Sequence, residues 1–218
     1  GLPVHKLVCA SNENNVLTDF INTGIYDKNR EFKTTSSPSM DILISSNLER
    51  FLFHITGGDD ARIRNWMNDL KTTGKYEVPE ITKNKIKDVF WGGYCDDNET
   101  FEEIRNVNNE YGYVMDTHTA VAKNVYEKYV NETGDTTKTV IVSTASPFKF
   151  SDSVLSAILG STVSSEKDPF ALLDELAERT GLMIPASLGE LKNKAVIFNT
   201  KCEKEEMYDV VSHMLNLA

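Results

Sequence analysis

The chain has 218 residues, 40% hydrophobic and 26% charged, and carries a formal net charge of −10 at pH 7. That composition suits a folded domain rather than a disordered chain, and its acidity excludes a nucleic-acid groove, which needs a basic face to release counterions. Three dispersed cysteines (Cys9, Cys95, Cys202) and four dispersed histidines (His5, His54, His118, His213) give neither a disulfide framework nor a metal-ligand spacing, so no metal is expected and the cytoplasm is the expected compartment.

In chain order, residues 6–10 read as a short buried strand, with Ser11 and Asn12 as the turn and helix cap that follow it. Residues 14–22 carry Val16, Leu17, Phe20 and Ile21 at helical spacing and are closed by Gly24. A polar loop over residues 26–39 leads to Pro38, which is expected to open an amphipathic helix through Met40, Leu43, Leu48 and Leu52. Asp59 can cap the next helix, through Ile63, Trp66 and Leu70, and residues 71–79 read as a linker or excursion. Residues 83–89 fit a short helix or a strand, and Phe90-Trp91-Gly92-Gly93 a strand end with a tight turn. Helices follow over 100–109, capped by Asn98, and over 117–129. The apolar run 139–143 predicts a buried parallel strand, 194–198 an edge strand, and 151–159, 169–180 and 203–215 helices. Helices alternating with strands predict an α/β fold, a mainly parallel sheet flanked by helices, with 1–218 as one unit. No apolar run approaches the roughly 20 residues of a membrane span, so no membrane partner is expected.

Three segments could carry chemistry. Thr34-Thr35-Ser36-Ser37-Pro38-Ser39 crowds hydroxyls before a predicted helix, where an anion could bind or where Ser37 or Ser39 could simply cap. Beyond it, Arg50 could clamp a carboxylate or phosphate, or pair with Glu49 on the surface. Asp116 or Thr117 caps a helix whose first turn holds His118, either an acid–base group or a packing residue. A Ser143–His118–Asp116 triad can be drawn, but no nucleophile-elbow motif accompanies it. Ser143 and Thr144 end the 139–143 run where an open α/β sheet binds its ligand, and a hydroxyl there can bond a neutral heteroaromatic nitrogen. Lys149, between two phenylalanines, reads as a snorkelling surface lysine more than a Schiff-base group.

Taken together these segments resemble threonine synthase, a pyridoxal-phosphate enzyme of fold type II, the tryptophan-synthase-β group. The matching stretches are Gly1-Leu2-Pro3-Val4, Asn22-Thr23-Gly24-Ile25-Tyr26, Ser37-Pro38-Ser39-Met40-Asp41-Ile42, Ser46-Asn47-Leu48-Glu49-Arg50, Asp116-Thr117-His118-Thr119-Ala120-Val121 and Ser143-Thr144-Ala145-Ser146-Pro147-Phe148-Lys149-Phe150. The family usually has proline in place of Thr117 and often histidine in place of Ser146; neither change removes an expected catalytic group.

The resemblance implies a carbon–oxygen lyase that converts O-phosphohomoserine and water to threonine and phosphate. It places the Schiff-base lysine and the cradle for the cofactor phosphate upstream of Gly1, so the chain is expected to be a carboxyl-terminal part, inactive alone, whose partner is the missing amino-terminal part. It assigns Thr144 to the pyridine nitrogen, with Ser143 as the alternative, and Ser37, Ser39, Asp41, Asn47 and Arg50 to the substrate side. No catalytic residue is expected within the chain. The alternatives are a part of another fold type II lyase, or a non-enzymatic α/β binding domain.

Overall fold

In the computed structural model, which describes residues 3–163 and 167–217, the first apolar run forms β1 (Leu7–Ser11) and pairs in parallel with β4 (Phe90–Tyr94). Gly1 and Leu2, part of the first matching stretch, lie outside the described residues. Helix α1 (Val16–Thr23) packs on the pair from one direction and α6 (Thr117–Thr133) from another. The fold is thus α/β, with a parallel sheet flanked by helices. Two adjacent glycines in β4 permit this close approach. A Cβ on Gly92 would lie 3.3 Å from the Thr18 backbone and 3.2 Å from the Ile21 side chain, and one on Gly93 would lie 2.6 Å from the Trp91 ring. The Thr18 hydroxyl fastens the contact by donating to the Gly93 carbonyl at 2.8 Å.

Gly24, at φ 81°, ends α1 in the left-handed conformation that glycine adopts without steric cost, and its N–H donates to the Phe20 carbonyl. The chain then enters β2 (Ile25–Asp27), antiparallel to β3 (Lys75–Glu77). Tyr26 lies opposite Tyr76, and their rings stack at 5.3 Å with 3° between planes, while Phe20 meets both edge-on at 5.7 Å. Around this aromatic group α2 (Ser46–Ile55), α3 (Asp60–Thr72) and α4 (Glu80–Val89) bury Leu52, Ile63, Trp66, Leu70 and Ile86. A second core joins Cys95, Val121 and Val125 to Val8, Ala10 and Trp91. Burial pushes the Cys95 thiol up to about 12, so it packs as a small hydrophobe rather than serving as a nucleophile.

Helix α5 (Asp97–Tyr111) starts from a capping box between Asp96 and Glu99, two residues earlier than the expected Asn98 cap. It packs on α6 and on α7 (Ser151–Leu159), and α7 packs in turn on α8 (Pro169–Thr180). The unit Gly1–Ile184 holds all of these elements. Among its described residues the unit Pro185–Ala218 holds two short α-helices, α9 (Ala186–Gly189) and α10 (Met207–Met214). No helix among the described residues is long and apolar enough to cross a membrane.

Several local expectations are corrected. Phe90 to Gly93 is paired strand, β2 overlaps the start of the 26–39 loop, 71–79 contains β3, and of the two readings left open for 83–89 the helix is the one found. Pro38 opens only a single 3-10 turn, Pro38–Met40, and α2 begins at Ser46. The reason is Asp41, whose side chain is captured by Thr35 and turns the chain out of the helix. Residues 139–143 and 194–198 have no ladder partner among the described residues, and Val140, Val142 and Phe198 are 82%, 69% and 83% exposed. An apolar run supplies strand material, but only a paired neighbour makes it a strand.

Replacing Gly92 with alanine forces α1 away from β4, and the urea midpoint should fall by the equivalent of roughly 1–3 kcal/mol of overpacking. An unchanged midpoint would show that the two elements do not meet this closely.

Candidate functional site

The site lies where β1 and β4 end. Asn12 follows β1 directly and is wholly buried. Its Nδ2 faces Thr35 Oγ1 at 2.8 Å, Ser37 Oγ at 3.1 Å and Asp41 Oδ1 at 2.7 Å. Its Oδ1 accepts the Asn14 N–H at 3.0 Å. Asn12 therefore organises the turn and the facing loop instead of capping α1. Asp41 completes the knot, with Oδ1 accepting from Asn14 at 3.1 Å and Thr35 Oγ1 at 2.8 Å, and Oδ2 from the Thr35 N–H at 3.0 Å. From the β4 side Asp97 accepts the Ser36 N–H at 3.1 Å and its hydroxyl at 2.7 Å. The hydroxyl-rich loop is thereby held across the carboxyl ends of both strands.

Its far end meets the amino terminus of α6. The Ser39 N–H donates to His118 Nε2 at 3.1 Å, which leaves the ring proton on Nδ1, 3.1 Å from Asp116 Oδ1. Asp116 caps α6 by accepting the His118 and Thr119 N–H groups, and its Oδ2 also bonds the Thr119 hydroxyl. Burial works to raise the Asp116 pKa, but the hydrogen bonds from His118 and Thr119 outweigh it and hold the carboxyl below its ordinary value. Thr119 Oγ1 lies 3.0 Å from Ser143 Oγ, and the His118 ring packs on Phe150 at 4.7 Å. Three segments distant in sequence thus converge in one hydrogen-bonded cluster.

The expected residues divide accordingly. Ser37 and Asp41 lie inside the knot, where they shape the loop; Ser39 joins it to His118, and Ser143 enters through Thr119. Thr144 is exposed and makes no hydrogen bond among the described residues, so its hydroxyl is open to a ligand. Asn47 and Arg50 bond each other at 3.3 Å on the exposed face of α2 and take no part in the cluster's hydrogen bonds. Lys149 is exposed, with Nζ 5.7 Å from the Phe150 ring centre. The sequence reading gave Asn12 only as a cap, Asn14 only as part of a helix and Thr35 only as one of the crowded hydroxyls, and missed that they organise the site. Their signal was available: polar side chains directly after a buried strand stand at a crevice by position alone.

The family profile described as "Threonine synthase, C-terminal" matches residues 119–193, which include Thr119, Ser143 and Thr144. Threonine synthase of Saccharomyces cerevisiae is 38% identical over 184 residues, covering 77% of this chain and 36% of its own length. The chain is a relative of threonine synthase. Threonine synthase-like 1 of Macaca fascicularis is 37% identical over 159 residues, covering 72% of this chain and 21% of its own length. The structure of the chain is similar to the crystal structure of threonine synthase from Brucella melitensis bound to PLP, with a TM-score of 0.78 and 32% identity over 98% of this chain and 41% of that one. The chain therefore spans between a fifth and two-fifths of the threonine synthases and threonine synthase-like proteins it matches. The expected resemblance and the α/β architecture of fold type II both stand.

Replacing Asp116 with asparagine removes the acceptor that orients His118 and should lower stability at pH 7 by about 1–2 kcal/mol, as lost caps do. A depressed carboxyl stabilises the fold above the unfolded pKa of about 3.9 and loses that contribution as pH falls through the folded value. The gap between the proteins, followed by urea titration, should therefore stay constant above about pH 5 and close toward pH 2. A gap that widens in acid would reverse the assignment.

Proposed function

We propose that residues 1–218 are the carboxyl-terminal part of a cytoplasmic threonine synthase, a pyridoxal-phosphate-dependent lyase that converts O-phosphohomoserine and water to threonine and phosphate. One observation carries this reading: the loop of Ser37, Ser39 and Asp41, the Asp116–His118 pair and the Ser143–Thr144 end meet at the carboxyl ends of a parallel strand pair. Similarity to threonine synthases over most of the chain supports it.

The residues present suit a neutral heteroaromatic ring. The Thr144 hydroxyl, open and uncharged, would donate to the pyridine nitrogen and leave it unprotonated, with Ser143 as the alternative donor. When bound, the cofactor supplies the electron sink for chemistry at the substrate carbons. The knot around Asn12 and Asp41 would fix the wall that faces the substrate, and Ser39 would be oriented by His118. Arg50, with Asn47 beside it, would meet a carboxylate or phosphate as a guanidinium clamp. No lysine or arginine side chain enters the cluster among the described residues, so the cofactor phosphate and the catalytic base belong to the amino-terminal part, and the chain alone is inactive.

The test uses the chain and the parent protein side by side. With pyridoxal phosphate and borohydride, the chain should give no stoichiometric lysine adduct on mass mapping and should release no phosphate from O-phosphohomoserine, whereas the parent should do both. A clean adduct at Lys149 overturns the predicted inactivity, and a parent that releases no phosphate overturns the threonine synthase reading. In the parent, Thr144→Ala should shift the visible cofactor band and weaken cofactor binding by about tenfold, the worth of one well-placed hydrogen bond.

A further inference from the structure

Thr119 is buried in the first turn of α6, and its Oγ1 lies within hydrogen-bond reach of two oxygens, Asp116 Oδ2 and, at 3.0 Å, Ser143 Oγ. A hydroxyl carries one proton and two lone pairs, so Thr119 can donate to only one of them. Asp116 wins that competition. Its Oδ1 accepts the His118 N–H at 2.9 Å and the His118 Nδ1 proton at 3.1 Å, and its charge faces the positive end of α6. The partners of the carboxyl are donors, and those from His118 and Thr119 hold its pKa below the ordinary value, so it is ionised at pH 7. A hydrogen bond to an ionised acceptor is about twice as strong as one between neutral groups. The Thr119 proton therefore goes to Asp116.

Thr119 then offers Ser143 a lone pair. Two hydroxyl oxygens 3.0 Å apart with no proton between them repel, so Ser143 turns its own proton toward Thr119. Its bond to the carboxylate polarises the Thr119 hydroxyl and makes that oxygen a better acceptor. Asp116 and Thr119 are buried and Ser143 is exposed, so this chain of three oxygens runs from a buried charge to the open side of the cluster. What Ser143 shows on that side is a lone pair. Thr144 beside it makes no hydrogen bond among the described residues and keeps its proton free.

We propose that Thr119 is a positioning residue: with its own proton held by Asp116 it draws the Ser143 proton inward, so that Ser143 meets a bound group only as an acceptor. Ser143 is then suited to an N–H or O–H of a ligand and is removed as the alternative donor to an unprotonated ring nitrogen. Two hydroxyls adjacent in sequence are given opposite roles by one buried residue behind them. The proposal rests on reading the Ser143–Thr144 end as the cofactor side of the site.

Neutron diffraction from deuterium-exchanged crystals of the parent protein locates these protons and needs neither a variant nor the cofactor. Nuclear density should show a deuteron on Thr119 Oγ1 facing Asp116 and one on Ser143 Oγ facing Thr119. A deuteron on Asp116 Oδ2, or a Ser143 deuteron turned away from Thr119, overturns the proposal. The second measurement is the affinity of the parent for pyridoxal phosphate in a Thr144→Ala background. Adding Thr119→Val frees the Ser143 proton to donate in place of Thr144 and should recover at least about threefold of the lost affinity. Thr119→Ser keeps the hydroxyl and should recover none, and Ser143→Ala should abolish the recovery. A residue that merely supports the fold could only lower affinity when replaced. No gain with Thr119→Val, an equal gain with Thr119→Ser, or a gain that survives Ser143→Ala overturns the proposal. Phosphate release from O-phosphohomoserine by the unaltered parent is read separately. An inactive parent with the expected deuterons sinks the threonine synthase reading and spares the proton arrangement, and an active parent with the opposite deuterons does the reverse.

Discussion

The carboxamide of Asn12 is buried at the end of β1, with its nitrogen 2.7–3.3 Å from oxygens of Thr35, Ser37 and Asp41. A buried amide without partners costs on the order of 1–3 kcal/mol, so packing β1 obliges the loop to close over its end. Everything on that side follows from the obligation. The closed loop turns at Asp41 instead of continuing as a helix, and that turn presents the Ser39 N–H to His118. His118 then has one tautomer, Asp116 has one proton donor on its ring side, and Thr119 carries the connection on to Ser143.

The cluster is also electrically quiet. Asp41, Asp97 and Asp116 are acidic, yet each has its oxygens occupied by N–H or O–H donors of the protein. What remains toward a ligand is the hydroxyl of Thr144. That is suitable scenery for a ring whose nitrogen should stay neutral, and unsuitable for holding a phosphate dianion, which wants backbone N–H groups or cations.

Elements dominated by local signals were legible in the sequence. The stripe of Val16, Phe20 and Ile21 with Gly24 behind it gives α1, Asp59 caps α3 as its position suggests, and α7 and α8 keep their expected bounds. The errors fall where a distant partner decides. β2 and β3 are three residues each, too short for periodicity, and exist because Tyr26 stacks on Tyr76. Pro38 is a sound helix start that Asp41 overrules through Thr35. Residues 139–143 carry the strongest strand pattern and lack a ladder, since a pattern does not supply its neighbour. At the site, the hydroxyl-rich loop, His118 and Ser143 were visible as residue types, but their convergence through Asn12 and Thr119 was not. That convergence depends on the relative placement of strand ends, which periodicity does not encode.

The pairing of β1 with β4 sets the order of events during folding. Helices α1 to α4 and the β2–β3 pair all lie between the two strands in the chain, so their ladder closes a long loop and bears its entropy before any contact repays it. The α5–α6 packing needs a much shorter closure, and the pairing of Tyr26 with Tyr76 a somewhat shorter one. The knot around Asn12 joins residues near one another in sequence, but the Ser36–Asp97 and Ser39–His118 links wait for β4 and α6 to arrive beside β1. The site is therefore the last region to consolidate. Substitutions in it should mainly accelerate unfolding, whereas those in the aromatic group should slow refolding.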